Sequence, residues 1–366
     1  MKIKVLHTEW SDGWGGQEIR IIDEMNSIRA SGIEVYLACK DASKIKVKAI
    51  ENNINVYTLP FSGNADLRTI YGLIKIIKKL NINIVNTHSG KDTWVGGIAA
   101  KIAGVKFIRT RHLSNPINKS KINFINQIAD YIITTGESVR EAMIKDNKIL
   151  PNKISSVPSG PKIEVFDPDL YDYLECRKKF SIKNGEYTIG MLSVLRKFKR
   201  HDRFLKMARK MLTLFPHKKL KFLIAGEGPQ RDNIEILIKK YHLESSVTLL
   251  GHIENQAEFL KSIDLFILAS DSGEGVPQSL IQALMMNKLA VATDVGSVRD
   301  LYHHKNFKMV NKNKQQELIF EVRNIIENIK DNKARELDNR KFIIDNFSEN
   351  IMTSKILSIY DKLINQ

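Results

Sequence analysis

The stretch LFILASDSGEGVPQSLIQALMMNKLAVATD, Leu265 to Asp294, decides how the chain is read. Residues 265–269 form a short apolar run of the kind shown by a strand buried on both faces. The acidic glycine turn Ser270-Asp271-Ser272-Gly273-Glu274-Gly275 follows, and Pro277 opens a helix, a position that proline favours. Leu280, Ile281, Leu284 and Met285 give the helix one apolar face, and it stops near Asn287. Residues 289–293 are a second short buried strand. A helix N-terminus just past the carboxyl end of a parallel strand offers free N–H groups to an anion. Here they belong to Val276, Gln278 and Ser279, with Gly275 beside them to let a ligand approach the backbone. Glu274 lies in the same turn. A carboxylate repels phosphate, so its natural task is to accept hydrogen bonds from sugar hydroxyls. The same residues also fit an ordinary turn carrying a solvated Glu.

At 366 residues the chain is too long for one typical domain, and two are expected. A hydrophobic content of 43% supplies material for two cores. Cys39 and Cys176 lie far apart without metal-ligand spacing, as buried thiols of a reduced cytosolic protein do. The start Met1-Lys2-Ile3-Lys4-Val5-Leu6 reads as a strand and not as a signal peptide. No apolar run approaches the ~18 residues that a membrane span needs, so a soluble or peripheral protein is expected. The formal charge of +16 raises nucleic acid as a partner, but no helix-turn-helix, zinc-finger or aromatic RNA-binding pattern supports it. An anionic membrane surface, phosphorylated substrates and a Lys-rich solvated surface remain as readings.

The first half alternates strand and helix in the doubly wound manner. Strands are expected at 2–7, 34–39, 55–59, 83–87, 106–110, 131–135 and 154–157, with clear helices at 17–31, 67–80 and 93–103. Gly15-Gly16, directly before the first helix, lets a phosphate or sugar approach the backbone, or is simply a flexible turn. Trp10 and Trp14 either stack on a ligand or pin this loop. Polar clusters follow the fourth strand (Asn86 to Asp92) and the fifth (Arg109 to Ser114), where ligands gather in open sheets. Arg109 and Arg111 are read as pointing to opposite faces. The helix 67–80 carries Lys75, Lys78 and Lys79 beside Leu73, Ile74, Ile76 and Ile77. With Lys101, Lys106, Lys119 and Lys121 it suits an anionic membrane, or equally a solvated helix face. The boundary is read at the Pro/Gly run 157–161, continuing to 167–168; Asp167-Pro168-Asp169 is assigned no metal. Strands of the second half are expected at 187–192, 220–225, 247–250, 265–269 and 289–293.

EGVPQSLIQALMMNKLAVATD resembles the donor-site segment of glycosyltransferase family 4, whose members are retaining enzymes with the GT-B fold. The family pattern is Glu, seven residues, Glu; this chain has Glu274 and then Gln282, an amide where the family holds a ribose. Other segments resemble the family in order. Gly15-Gly16 is similar to its N-terminal glycine loop, and Thr110-Arg111-His112-Leu113-Ser114 to the segment whose His reaches the reaction centre. His112 is therefore ranked above His88. After the strand 187–192 the family has Arg-Leu, three residues, Lys-Gly, with both cations on the diphosphate. Lys199 matches, Val194 stands for the Arg and Arg200 for the Gly, and Arg196 is taken as the second cation. Gly226 and Gly228 lie in the family's glycine turn, His252-Ile253 in the segment that touches the base, and Asp300 stands for a Glu.

The resemblance implies an α/β protein of the GT-B fold, two Rossmann-like domains facing across a cleft. Residues 1–165 would bind acceptor and 166–346 a nucleotide-sugar, and the helix 347–366 would cross back to the first domain. It implies a retaining transferase with a glycan or lipid-linked acceptor in surface polysaccharide or lipopolysaccharide synthesis, cytoplasmic or peripheral on the inner membrane face. His112, Glu274 and Lys199 are the expected catalytic residues. The donor would meet Gly15, Gly16, Arg196, Lys199, Gly226, Gly228, His252, Ile253, Glu274, Gly275, Val276, Pro277, Gln278, Ser279 and Gln282. Helix dipole and cations would stabilise the leaving diphosphate, so no metal or other cofactor is expected, nor a protein nucleophile. Nucleic acid is not an expected partner. The rival readings are a noncatalytic relative acting as a binding subunit and a nucleotide-sugar epimerase.

Overall fold

The computed structural model describes residues 2–115, 117, 124–303, 307–328 and 337–365. The chain divides into two units, one holding Met1–Gly160 with Glu349–Gln366 and the other Pro161–Ser348. The division falls between Gly160 and Pro161, five residues before the 165/166 division expected.

The first unit is a seven-stranded parallel sheet in the order β3-β2-β1-β4-β5-β6-β7. Its strands are Lys4–Glu9 (β1), Glu34–Cys39 (β2), Asn55–Thr58 (β3), Ile84–Thr87 (β4), Lys106–Arg111 (β5), Tyr131–Thr134 (β6) and Ile154–Ser156 (β7). β1 runs on to Glu9, past the expected end at 7, because its ladder with β2 continues to the pair Glu9 and Cys39. Two of the helices between strands start on side-chain caps. Asp66 accepts from the backbone of Arg68 and Thr69 to begin Leu67–Leu80. Ser89 and Asp92 form a reciprocal capping box at the head of Gly90–Ala103. The last helix, Glu349–Ile364, packs Met352, Ile356, Ile359, Tyr360 and Leu363 into the same apolar cluster as Ile21, Met25 and Ile28 of the helix Gly16–Ala30.

The second unit is a six-stranded parallel sheet ordered β10-β9-β8-β11-β12-β13. Its strands are Tyr187–Leu192 (β8), Leu220–Ala225 (β9), Val247–Gly251 (β10), Leu265–Leu268 (β11), Leu289–Asp294 (β12) and Lys308–Asn311 (β13). Only β13 was not expected. It has two apolar residues, Met309 and Val310, between lysines and asparagines, and its identity comes from pairing with β12. Two apolar clusters fill the two faces of this sheet, one around Phe259, Phe266 and Leu284, the other around Phe204, Phe222 and Val322. Each sheet reverses its strand order once, at β1/β4 in the first unit and at β8/β11 in the second. The loops leaving the carboxyl ends of such a strand pair diverge to opposite faces and open a crevice between them.

Candidate active site

In the second unit the crevice lies between the turn after β8 and the turn after β11. Each turn brings one charged side chain to it. Lys199, at the end of the 3-10 turn Lys197–Lys199, places Nζ 2.6 Å from Oε1 of Glu274. Ser270 Oγ donates to the same oxygen at 2.6 Å. Glu274 is only 6% exposed, so the reading of this residue as a solvated turn Glu is wrong. Both of these bonds go to Oε1, which leaves Oε2 as the acceptor available to a sugar hydroxyl. The lysine ammonium has three donors and gives one to Glu274, so it neutralises the carboxylate and keeps two N–H groups for an anion.

The turn is held from below by backbone. A Cβ on Gly296, whose φ is +56°, would lie 2.0 Å from the carbonyl oxygen of Glu274, so only glycine lets the loop after β12 pass beneath that turn. Ser297 N donates to Gly275 O at 3.2 Å, and Asp271 N to Phe198 O at 3.0 Å. Arg200 occupies the family's glycine position in the left-handed region (φ +56°), which shows why glycine suits it. Its guanidinium grips Asp202 at 2.8 and 2.9 Å and Asp271 at 2.9 Å, joining the two turns across the crevice. His201 bonds Ser193 Oγ through Nε2 at 3.1 Å; burial, aided by Lys199, pushes its pKa down to about 4.

The other expected donor residues are placed around this pair. Pro277 is the N-cap of Gln278–Met285 and not its first residue, so the N–H groups of Gln278 and Ser279 precede the first intrahelical bond. Gln278 Oε1 is buried without a hydrogen-bond partner among the described residues. Val276 and Gln282 are buried. Gly226 (φ +135°) lies so close to the preceding turn that a Cβ would meet Ser193 O at 1.9 Å, and Gly228 crowds Leu195 in the same way. The close approach expected of this glycine turn is thus met by the chain's own backbone. Arg196 and His252 are exposed, and Ile253 packs against the apolar cluster. Arg196 makes no side-chain ion pair among the described residues.

In the first unit a row of three histidines crosses the switch point. His7 of β1, His88 after β4 and His112 after β5 are in hydrogen-bond contact, with His7 Nδ1 2.9 Å from His88 Nε2 and His88 Nδ1 3.1 Å from His112 Nε2. The register explains the row, since His7 pairs with Asn86 and Thr87 with Arg109. Burial pushes the His7 pKa down to about 3 and those of His88 and His112 well below the ordinary value. The buried Arg20 cation adds to this at His88 and His112. Beside the row, Glu9 accepts from Ser11 N (2.7 Å), Ser89 Oγ (2.8 Å) and Gln17 Nε2 (2.5 Å). Burial and then the Asp92 charge push its pKa up to about 8. Burial raises Asp92 to about 6 against bonds from His88 N and Thr8 Oγ1.

Sequence reasoning ranked His112 and His88 and placed Asp92 in a polar cluster, but did not single out His7 or Glu9; their only signal was a place at the carboxyl ends of strands that turn out to be adjacent. The placing of Arg109 and Arg111 on opposite faces is corrected. They lie two residues apart in the continuous strand β5, so they share a face. Burial, with Arg111 close by, lowers Arg109 to about 9. Gly15 caps the helix Gly16–Ala30, and Gly16 is exposed. Lys91 and Lys40 sit over the Trp10 ring at 4.2 and 5.0 Å, and Trp14 packs against the core, contacts that fit the loop-pinning reading of both rings. Lys119 and Lys121 lie outside the described residues. Among the described residues no three His, Cys, Asp or Glu side chains converge as a metal-ligand set, and no helix is long and apolar enough to cross a membrane.

Comparison with known proteins agrees with this fold. The family described as Glycosyltransferase Family 4 matches residues 14–164, and that described as Glycosyl transferases group 1 matches residues 172–342. The UDP-Gal:alpha-D-GlcNAc-diphosphoundecaprenol alpha-1,3-galactosyltransferase of Escherichia coli is 24% identical over 301 residues, 77% of each chain. A glycosyltransferase from Rickettsia africae superposes with a TM-score of 0.88 at 21% identity, over 99% of both chains. HepE of Anabaena, solved with UDP-glucose, superposes with a TM-score of 0.86 at 17% identity, over 99% of this chain and all of that one. With two parallel Rossmann-like units, GT-B structural neighbours and family matches along both halves, the chain belongs to glycosyltransferase family 4.

Proposed function

We propose that this glycosyltransferase transfers a hexosyl or related sugar, with retention, from a nucleotide-sugar to a lipid-linked glycan in surface polysaccharide or lipopolysaccharide synthesis. The observation that carries the reading is the Lys199–Glu274 pair at the head of the helix Gln278–Met285. In one place it provides a cation and helix N–H groups for a diphosphate, and a carboxylate oxygen for the sugar. The donor's charge develops on the leaving diphosphate, where Lys199, Arg196 and the helix dipole stabilise it. Glu274 orients the sugar, Gln282 takes the ribose, and His112 meets the sugar or acceptor. Gly226, Gly228, His252 and Ile253 line the nucleotide, and Gly15 and Gly16 lie by the donor. No metal takes part in this scheme.

UDP is the first nucleotide to test, because the Escherichia coli relative is named for UDP-Gal and HepE was solved with UDP-glucose. The former's diphosphoundecaprenol acceptor supports a lipid-linked acceptor, which this enzyme would reach by docking on the inner membrane face. Such docking suits the helix Leu67–Leu80, where Leu67 and Tyr71 stand exposed beside Arg68, Lys75 and Lys78. The test is thermal unfolding of the purified protein with UDP, GDP, ADP and CMP, each with and without EDTA. A concentration-dependent rise with one nucleotide, unchanged by EDTA, names the donor; no rise with any of them overturns the reading.

A further inference from the structure

The histidine row has a directionality that bears on His112. All three rings are neutral near pH 7, because burial opposes their protonation and the Arg20 cation adds to this at His88 and His112. A neutral imidazole has one N–H donor and one acceptor nitrogen. Two linked contacts therefore leave the row only two consistent senses. In the first, His7 donates through Nδ1 to His88, His88 donates through Nδ1 to Nε2 of His112, and His112 keeps its proton on Nδ1. In the second every proton moves to the other nitrogen, and His7 carries N–H at Nε2.

The far end of the row distinguishes them. His7 is completely buried, and its Nε2 has no hydrogen-bond partner among the described residues. An N–H there would be an orphaned buried donor, whereas a lone pair is the less costly group to leave unpaired. We propose that His7 and His88 are positioning residues that hold His112 as its Nδ1-protonated tautomer, so that His112 meets the substrate as a hydrogen-bond donor and not as a base. The row ends at a buried nitrogen, so it orients a ring and does not conduct a proton. His112 is half-buried, whereas His7 and His88 are buried, which makes it the ring able to reach a ligand.

This inference rests on the role proposed for His112, but its test needs no substrate. The full chain, labelled with [15N]histidine, is examined by long-range proton–nitrogen correlation, with His112 assigned through His112→Gln. The expected result is one neutral, Nδ1-protonated His112 from pH 8 down to its ordinary value of 6.5. His88→Phe keeps a ring but removes the donor, and His112 should then show both tautomers. His88→Asn restores an N–H near the Nδ1 position and should return the single form. In transfer assays His88→Phe is expected to lower kcat about tenfold at unchanged donor KM, with recovery in His88→Asn. An Nε2-protonated or charged His112 in the wild-type protein overturns the proposal; so does a single tautomer that survives in His88→Phe. Should His88→Phe not fold, His7→Phe removes the first donor and tests the same point. A locked tautomer in a protein that transfers no sugar would sink the proposed function and leave standing only the positioning of His112 by His7 and His88.

Discussion

Lys199 Nζ and Glu274 Oε1 are 2.6 Å apart, so the cation and the carboxylate contributed by the two arms of the second unit's switch point are partners. Their side chains are 15% and 7% exposed, so the pair is largely withdrawn from water. A carboxylate next to a diphosphate site is a liability when it stands alone. Paired with Lys199 it ceases to repel the anion and keeps one oxygen for a hydroxyl.

Lys199→Ala is expected to leave Glu274 buried without its cation. Breaking a buried pair costs ~3–5 kcal/mol, and the residual exposure of Lys199 puts the expected loss nearer ~2–3 kcal/mol. The same variant should weaken nucleotide binding by at least about tenfold. Denaturant unfolding and titration calorimetry with UDP check both. Wild-type affinity for UDP in the variant would remove Lys199 from the donor site.

Gly296→Ala should displace the Glu274 turn, since its Cβ would sit 2.0 Å from the Glu274 carbonyl oxygen at a φ of +56°. Gly104→Ala is the control, with φ +72° but nothing within 4 Å of the added carbon. The control should lose only the left-handed penalty of ~1–2 kcal/mol and keep donor binding. Gly296→Ala should lose more stability and most donor binding, as read by thermal unfolding with and without nucleotide.

The stability of the first unit should peak near pH 6.5. Glu9 is raised from 4.5 to about 8, so between those values the folded state holds a proton that the unfolded chain has released. Its contribution therefore falls as pH rises through that window. His7 is lowered from 6.5 to about 3, and His88 and His112 are lowered as well, so protonation of the unfolded chain erodes stability as pH falls below 6.5. Just below pH 6.5 the three histidines outweigh Glu9 and Glu24, both raised by burial, and Asp92 joins the carboxylates only below about 6. Each unbalanced proton is worth ~1.4 kcal/mol per pH unit. Glu9→Gln should flatten the alkaline limb of the unfolding profile and steepen the acid limb between pH 4.5 and 6.5.

Leu67→Ser with Tyr71→Ser should reduce binding to anionic phospholipid vesicles about tenfold at low salt, without changing UDP binding. Both side chains are exposed, 76% and 61%, on a helix whose core side is held by Leu73 and Ile77. Burying one such side chain in the interface is worth ~1.5–3 kcal/mol at most. Sedimentation with vesicles measures it, and added salt should weaken what remains. Equal binding by both proteins would place the membrane contact elsewhere.

The sequence alone determined that the chain is two α/β units, because short apolar runs bounded by glycine turns and alternating with amphipathic helices can bury themselves only in covered parallel sheets. It also determined that Glu274, Lys199 and His112 follow strands, since each stands just beyond an apolar run. It left β13 invisible, because two apolar residues are too few to carry a period. Only the tertiary structure decided which strand ends are neighbours. Sheet order, set by packing between segments distant in the chain, brings Lys199 within bonding distance of Glu274, 75 residues on, and aligns His7, 81 residues from His88, with the two histidines that follow β4 and β5. Burial decided the rest. Whether a Glu is solvated or paired, and whether an imidazole is charged or neutral, depends on the water excluded around it, which no local pattern of residues records.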